Sequence, residues 1–90
     1  MTLGLPNTAT AKDLLRFART AFPKPDDLVE IRYEQFANGI RATVVVTSRI
    51  WNAIPRDTTH DLIDTIAEAM QRRGIGGGDR PFVVLQDAGR

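Results

Sequence analysis

Asp57, His60, Asp61 and Asp64 bring three carboxylates and the single histidine of the chain into one short stretch. At helical spacing His60 and Asp64 share a face, with Asp57 one turn earlier. The set therefore reads as a partial metal site or an acid–base pair. A plainer reason competes with it: carboxylates gather in the first turns of a helix because the macrodipole favours them there. One histidine among carboxylates also lacks a further nitrogen ligand, and no matching motif stands elsewhere in the chain. The dipole reading is preferred. No catalytic residue, metal or cofactor is expected, and the chain is read as not an enzyme.

Gly74-Ile-Gly-Gly-Gly78 is the second stretch that invites chemistry. Phosphate cradles precede a helix and use its N-terminal N–H groups, whereas this run follows a helix and leads into a strand. No Lys-Ser/Thr pair follows it. It reads as a connecting loop, with Arg72, Arg73 and Arg80 making a local basic spot around it.

The elements that would position these residues follow from spacing and turn chemistry. Residues 1–9 read as a loose leader. A first helix begins with Thr10 as cap and Asp13 in the reciprocal position, and carries Ala11, Leu14, Leu15, Ala18 and Phe22 as its buried stripe. Pro23 and Pro25 end it. Two alternating runs, 28–34 and 40–47, flank Asn38-Gly39, a dipeptide suited to positive φ at both turn positions. A two-residue loop there sets Tyr33 opposite Val44, Ile31 opposite Val46 and Ala37 opposite Ile40. Val29 extends that apolar face, while Glu30, Arg32, Glu34, Phe36, Arg41, Thr43 and Val45 share the other. Residues 48–56 read as a connection containing Ile50, Trp51 and Ile54.

A second helix begins after Pro55, capped by Asp57 or Thr58, with Asp61 as reciprocal partner. Thr59, Leu62, Ile63, Ile66, Ala67 and Met70 form its inner stripe. Gly74 suits the left-handed position that closes a helix, and Ile75 supplies the apolar contact. A third strand covers 81–85, and 87–90 is a frayed tail. The expected fold is one α+β domain over 1–90, ordered α-β-β-α-β. It is a two-layer sandwich with both helices on one face of a three-stranded mixed sheet, strand 3 parallel to strand 2.

Two surfaces follow from this arrangement. Lys12, Arg16 and Arg19 form a basic stripe on the first helix, and Asp57, Asp61, Asp64 and Glu68 an acidic one on the second. The stripes either pair across the groove between the helices or dock a partner. The sheet face away from the helices shows Phe36 and Arg41, with Arg41 able to lie on the ring. Phe82-Val-Val-Leu85 is apolar on both faces, as buried strands are, yet the topology makes it an edge. The conflict resolves by pairing across a dimer, by a partner strand, or by Trp51, Ile54 and the leader folding over it.

Composition bounds the function. The chain has 90 residues, 42% apolar and 26% charged, with net charge +1 and no cysteine. That is an ordinary globular composition. It excludes disulfides, thiolate metal sites and cysteine nucleophiles, and argues against binding nucleic acid by bulk charge. No apolar run is long enough for a membrane span, and Met1–Pro6 has neither the basic start nor the apolar core of a secretory signal. Cytoplasmic location is the default expectation.

Val44-Val-Val-Thr-Ser-Arg-Ile-Trp51 followed by a helix is loosely similar to the BolA pattern, and the element order also occurs in class II KH-like domains. The likeness is one of outline. Asp57-Thr-Thr-His-Asp61 stands where the BolA family has a basic-histidine segment, and no Gly-x-x-Gly joins two helices, so no function is carried over.

The expectation is a protein-interaction module, a small adaptor, subunit or inhibitor that binds a protein partner, a second copy included. Phe36, Arg41, Trp51, Phe82 and Val84 are its candidate contact residues. The alternative is a single-stranded nucleic-acid-binding domain, with Arg32 and Arg41 on phosphates and Phe36 on a base.

Overall fold

The N-terminal helix starts earlier than its spacing implies. The structure, a computed structural model, describes residues 6–22, 24–76 and 80–89. In it α1 spans Thr8–Arg19. Asn7, not Thr10, is its cap: the Asn7 Oδ1 accepts the Thr10 N–H at 2.8 Å and satisfies an otherwise orphaned donor. Leu14 and Ala18 are fully buried on its inner face, and Phe22 joins them just beyond its end. Pro25 opens a 3-10 turn, Pro25–Asp27. Pro23, the other expected helix stop, lies outside the described residues, as do Met1–Leu5 of the expected leader, Gly77 and Gly78 of the glycine run, and Arg90.

The hairpin forms, in a different register. β1 (Leu28–Phe36) and β2 (Gly39–Val46) pair antiparallel, with Phe36 opposite Gly39, Tyr33 opposite Ala42 and Ile31 opposite Val44. The turn is therefore Ala37-Asn38. Only Gly39 adopts a positive φ, 146°, so Asn38-Gly39 does not supply both turn positions. The displacement is two residues, and a shift of two leaves every side chain on its expected face.

Val29 is the exception. The ladder slips between Leu28 and Glu30, which face Val46 and Val45, so Val29 is an extra residue on β1. Such a bulge reverses the alternation. Leu28 turns into the core at 1% exposure and Val29 turns out at 45%.

The stretch expected as a connection contains a helix, α2 (Ser48–Ala53). It buries Ile50 and stops before Pro55. The residue preceding proline is pushed out of the helical region, and Ile54 has ψ 122°. α3 (Arg56–Arg72) follows at once, with Pro55 at its N-cap and no side-chain cap. The caps proposed from sequence, Asp57 and Thr58, instead lie inside its first turn. At its other end Gly74 takes φ 77°. The Gly74 N–H donates to the Gln71 carbonyl at 3.1 Å and the Ile75 N–H to Met70 at 3.0 Å. This is the two-bond closure expected of a glycine stop, and Ile75 is buried beneath it.

β3 (Phe82–Asp87) pairs parallel to β2, giving the strand order β1-β2-β3. It runs two residues beyond the expected strand. The Ala88 N–H donates to the Val46 carbonyl at 2.8 Å, so the last described residues continue the pairing and are not a frayed tail from Asp87. The architecture is the expected α+β domain on a three-stranded mixed sheet, with α2 inserted. Leu14, Ala18 and Phe22 from the first helical segment, Leu62, Ile66 and Met70 from α3, and Ile40, Ala42, Val44 and Val46 from β2 belong to one hydrophobic cluster. No helix among the described residues is long and apolar enough to cross a membrane.

Asp27 links three of these elements and escaped the sequence reading. Its carboxylate is buried at 4% exposure, accepts the Thr47 hydroxyl at 2.9 Å and pairs with Arg49. Its carbonyl accepts the Thr47 N–H at 2.9 Å. The start of β1 is thereby tied to the start of α2.

Candidate functional site

The sheet surface turned away from the shared core consists of rows that cross all three strands. Register places Glu34, Arg41 and Phe82 in one row, Arg32, Thr43 and Val84 in the next, and Glu30, Val45 and Gln86 in the third. Thr43 and Val45 are buried although they lie on this face, at 6% and 1% exposure. They belong to the central strand, where Thr43 lies between Arg32 and Val84 and Val45 between Glu30 and Gln86. The cations of this face are already paired. Arg32 Nε lies 2.6 Å from Glu30 Oε1, and Arg41 Nη2 lies 2.5 Å from Glu34 Oε1.

The five residues singled out from the sequence fall into two neighbouring patches. Phe36, Arg41 and Phe82 gather at one end of the open face. The Arg41 guanidinium lies 5.2 Å from the centre of the Phe36 ring, as expected, and all three line a shallow hollow of about 320 Å³. Phe82 is the most exposed large apolar residue described, at 64%. Trp51 and Val84 lie in the second patch, a hollow of about 520 Å³ formed by Trp51, Ile54, Arg56, Thr59, His60, Ile63, Val83, Val84 and Leu85.

The composition of that hollow fixes where it runs. Val83 and Leu85 point to one face of the sheet and Val84 to the other, since side chains alternate along a strand. A hollow touching all three lies along the edge of β3 that has no strand neighbour among the described residues. Thr59, His60 and Ile63 form its helical wall, and Trp51, half exposed, stands at the α2 side. β3 has a strand neighbour on one side only. Among the described residues, 82–87 make no backbone–backbone hydrogen bond outside the β2 pairing.

The polar candidates are distributed differently from their spacing in sequence. Asp64 pairs with Arg80, and His60 is an exposed residue of the groove wall. No three of His, Asp and Glu among the described residues are placed to hold one metal ion. The basic spot around the glycine run is neutralised: Arg72 pairs with Glu68, Arg73 with Asp13 and Arg80 with Asp64. Arg73 also lies over the Phe17 ring, 5.0 Å from its centre. The two charged helix stripes do not pair with each other. Among the described residues Lys12, Arg16 and Arg19 form no ion pair, and Asp13, outside the stripe, makes the one between α1 and the end of α3.

Two groups have displaced acidities. Burial pushes the Tyr33 hydroxyl up to about 12, and that hydroxyl has no hydrogen-bond partner among the described residues. Asp87 is held below the ordinary carboxylate value by the Ser48 hydroxyl, which donates at 2.6 Å, and by the Gly89 N–H at 2.8 Å.

The chain matches no known family, no curated protein and no solved structure.

Proposed function

We propose that this chain is a non-enzymatic protein-interaction module, a small adaptor, subunit or inhibitor, and that it binds an extended strand of a protein partner along the free edge of β3. The observation that carries the reading is an edge strand without a charge from Phe82 to Gln86, bordered by a groove. An added strand gains affinity from main-chain hydrogen bonds and specificity from pockets for alternate side chains. Val83, Leu85, Ile63 and Trp51 supply the apolar wall for one set. Val84 and Phe82 supply the platform for the other, which Phe36 and Arg41 extend. The nucleic-acid alternative is the weaker reading, because its two cations, Arg32 and Arg41, are already held by Glu30 and Glu34.

The test is selection of random decapeptides against sparsely immobilised protein. Enrichment of segments with apolar residues at alternating positions is expected, with binding lost in Val84→Lys. Circular dichroism and thermal unfolding show whether that variant keeps its fold. Phe82→Glu, at a more exposed position, gives a second disruption if it does not. Failure of a monomeric chain to enrich any such segment, or undiminished binding by both folded variants, refutes the proposal.

A further inference from the structure

We infer that the strand which fits the β3 edge is β3 of a second copy, paired antiparallel about a two-fold axis at Val84 to give a continuous six-stranded sheet. The inference rests on the reading of the β3 edge as the interaction surface and names the partner that this edge fits.

Self-pairing of identical strands with the helices on one side requires registers in which opposed residues have the same parity. Two such registers use most of the strand. Centring on Leu85 sets the Asp87 carboxylate against Val83. Centring on Val84 sets Phe82 against Gln86 and Val83 against Leu85, and leaves Asp87 beyond the ladder. The second register joins apolar to apolar on the helix side and desolvates no charge. Asp87 is already engaged by Ser48 and Gly89 within its own chain, which favours leaving it outside.

The helix layers of both copies then lie on the same side of the joined sheet. Leu85 of the second copy meets the groove walled by Ile63 and Trp51, and the groove of the second copy receives the same residue in return, while Val83 stays in its own core at 4% exposure. Each site is completed by the other copy. Closure follows from the opposite edge. On the open face β1 presents Glu30, Arg32 and Glu34, and Val29 forms a bulge on it. Charges and bulges block further strand pairing. One open edge and one blocked edge make an isologous pair that ends at two copies.

The absence of cysteine allows a register-specific test on the full chain. In antiparallel pairs a residue opposite its own copy has a Cα separation of roughly 4.5–5.5 Å, within the usual disulfide range of about 4.4–6.8 Å. Val84→Cys should therefore form an intermolecular disulfide under mild oxidation. It should do so about tenfold or more faster than Val29→Cys on the other edge, because paired thiols see an effective concentration on the order of millimolar. Light scattering across a concentration series should give twice the chain mass for the unmodified protein and a single mass for Val84→Lys.

A monomer at every concentration, with Val84→Cys no faster than Val29→Cys, overturns the second copy as occupant. So does a dimer in which Val84→Cys fails to cross-link. Peptide selection then separates the two claims. A monomer that still enriches alternating apolar peptides keeps the edge as a docking site for another protein, and one that enriches none loses both.

Discussion

The two edges of this sheet border similar hollows and carry opposite chemistry. Beside β1 a hollow of about 320 Å³ lies between the strand and α1, touched by Lys12, Leu15, Glu30, Ile31 and Tyr33 among others. Beside β3 the hollow is about 520 Å³, and both hollows are walled mostly by apolar surface, so the contrast lies in the strands themselves. In the same cross-strand rows where β1 places Glu34, Arg32 and Glu30, β3 places Phe82, Val84 and Gln86. β1 also carries the bulge at Val29. Edge strands invite pairing, and proteins blunt them with charges and irregularities. One edge here has both devices, and the other has no bulge and no charge from Phe82 to Gln86. The difference between the edges, more than the exposure of any single aromatic, separates a surface kept apart from one left open to pairing.

The largest effect should come from removing the difference. Arg32→Thr combined with Glu34→Thr takes away two charges and the Arg41 partner on the β1 edge, while threonine suits an exposed strand position. If these charges are what guards β1, the chain no longer closes at two copies, although Glu30 and the Val29 bulge remain. Light scattering should show mass rising without limit as concentration increases, where the unmodified chain reaches a plateau. A plateau at the same mass would mean that the charges do not guard β1. The bulge would then be the guard, and its deletion the next variant.

A smaller and purely internal effect is expected at Asp27, which anchors the start of the guarded edge. Asp27→Ala strands the Thr47 hydroxyl and releases Arg49, whose side chain is already 56% exposed and returns to water. The loss should be about 1–3 kcal/mol of unfolding free energy by denaturant titration. Dimer mass should survive at temperatures well below the new midpoint, because Asp27 touches β1 and α2 and lies away from the β3 edge. Loss of the dimer in a folded Asp27→Ala chain would place α2, and with it Trp51, at the centre of the association.

What the sequence could reveal follows from how local each feature is. Alternation in 28–34 and 40–47 marks the hairpin and its core face, and Gly74 marks the end of α3, because each signal lies within a few residues of its consequence. The register turns on which two residues make the turn, and Asn38-Gly39 is the stronger turn signal although Ala37-Asn38 is used. The bulge is not local: it depends on burying Leu28 in place of Val29, and no short window compares those two outcomes. α2 was missed because six residues are too few for a periodic pattern, and the Ile54-Pro55 stop reads equally well as loop. The open-face patch of Phe36, Arg41 and Phe82 was legible apart from its pairing, since a two-residue register shift preserves faces. The groove was not. It is assembled from α2, α3 and β3, and the conflict of an apolar strand at an edge was its one trace in the sequence.

Tyr33 offers a gentler comparison on the guarded side. Its hydroxyl is shielded and has no partner among the described residues, and burial pushes its acidity from the ordinary 10.0 up to about 12. The folded state therefore holds the proton more tightly than the unfolded state. Stability is drawn down as pH rises above the ordinary phenol value, until the folded group also ionises. Tyr33→Phe removes an unsatisfied polar atom and should leave stability equal or raise it by up to about 1 kcal/mol. Thermal unfolding of the variant should also lose the alkaline decline assigned to this phenol. A clear destabilisation at neutral pH would instead reveal a hydrogen-bond partner for the hydroxyl.

Asp87 gives the smallest effect and tests the open edge most finely, because it is the only charged residue of β3. The Ser48 hydroxyl and then the Gly89 N–H favour its carboxylate form, so its folded acidity lies below the ordinary 3.8. A depressed carboxylate contributes stability that is fully present above its unfolded value and is lost as pH falls through the folded one. Ser48→Ala removes the larger of the two causes. Carboxyl-carbon NMR should show Asp87 titrating below the ordinary value in the unmodified chain and moving back towards it in the variant. The acid loss of stability should shrink in step. The dimer register adds a second consequence: with Val84 on the axis Asp87 lies beyond the ladder, so its titration should be nearly the same in dilute monomer and concentrated dimer. A marked rise on association would mean that the carboxylate is desolvated by the partner, and would move the axis from Val84 to Leu85.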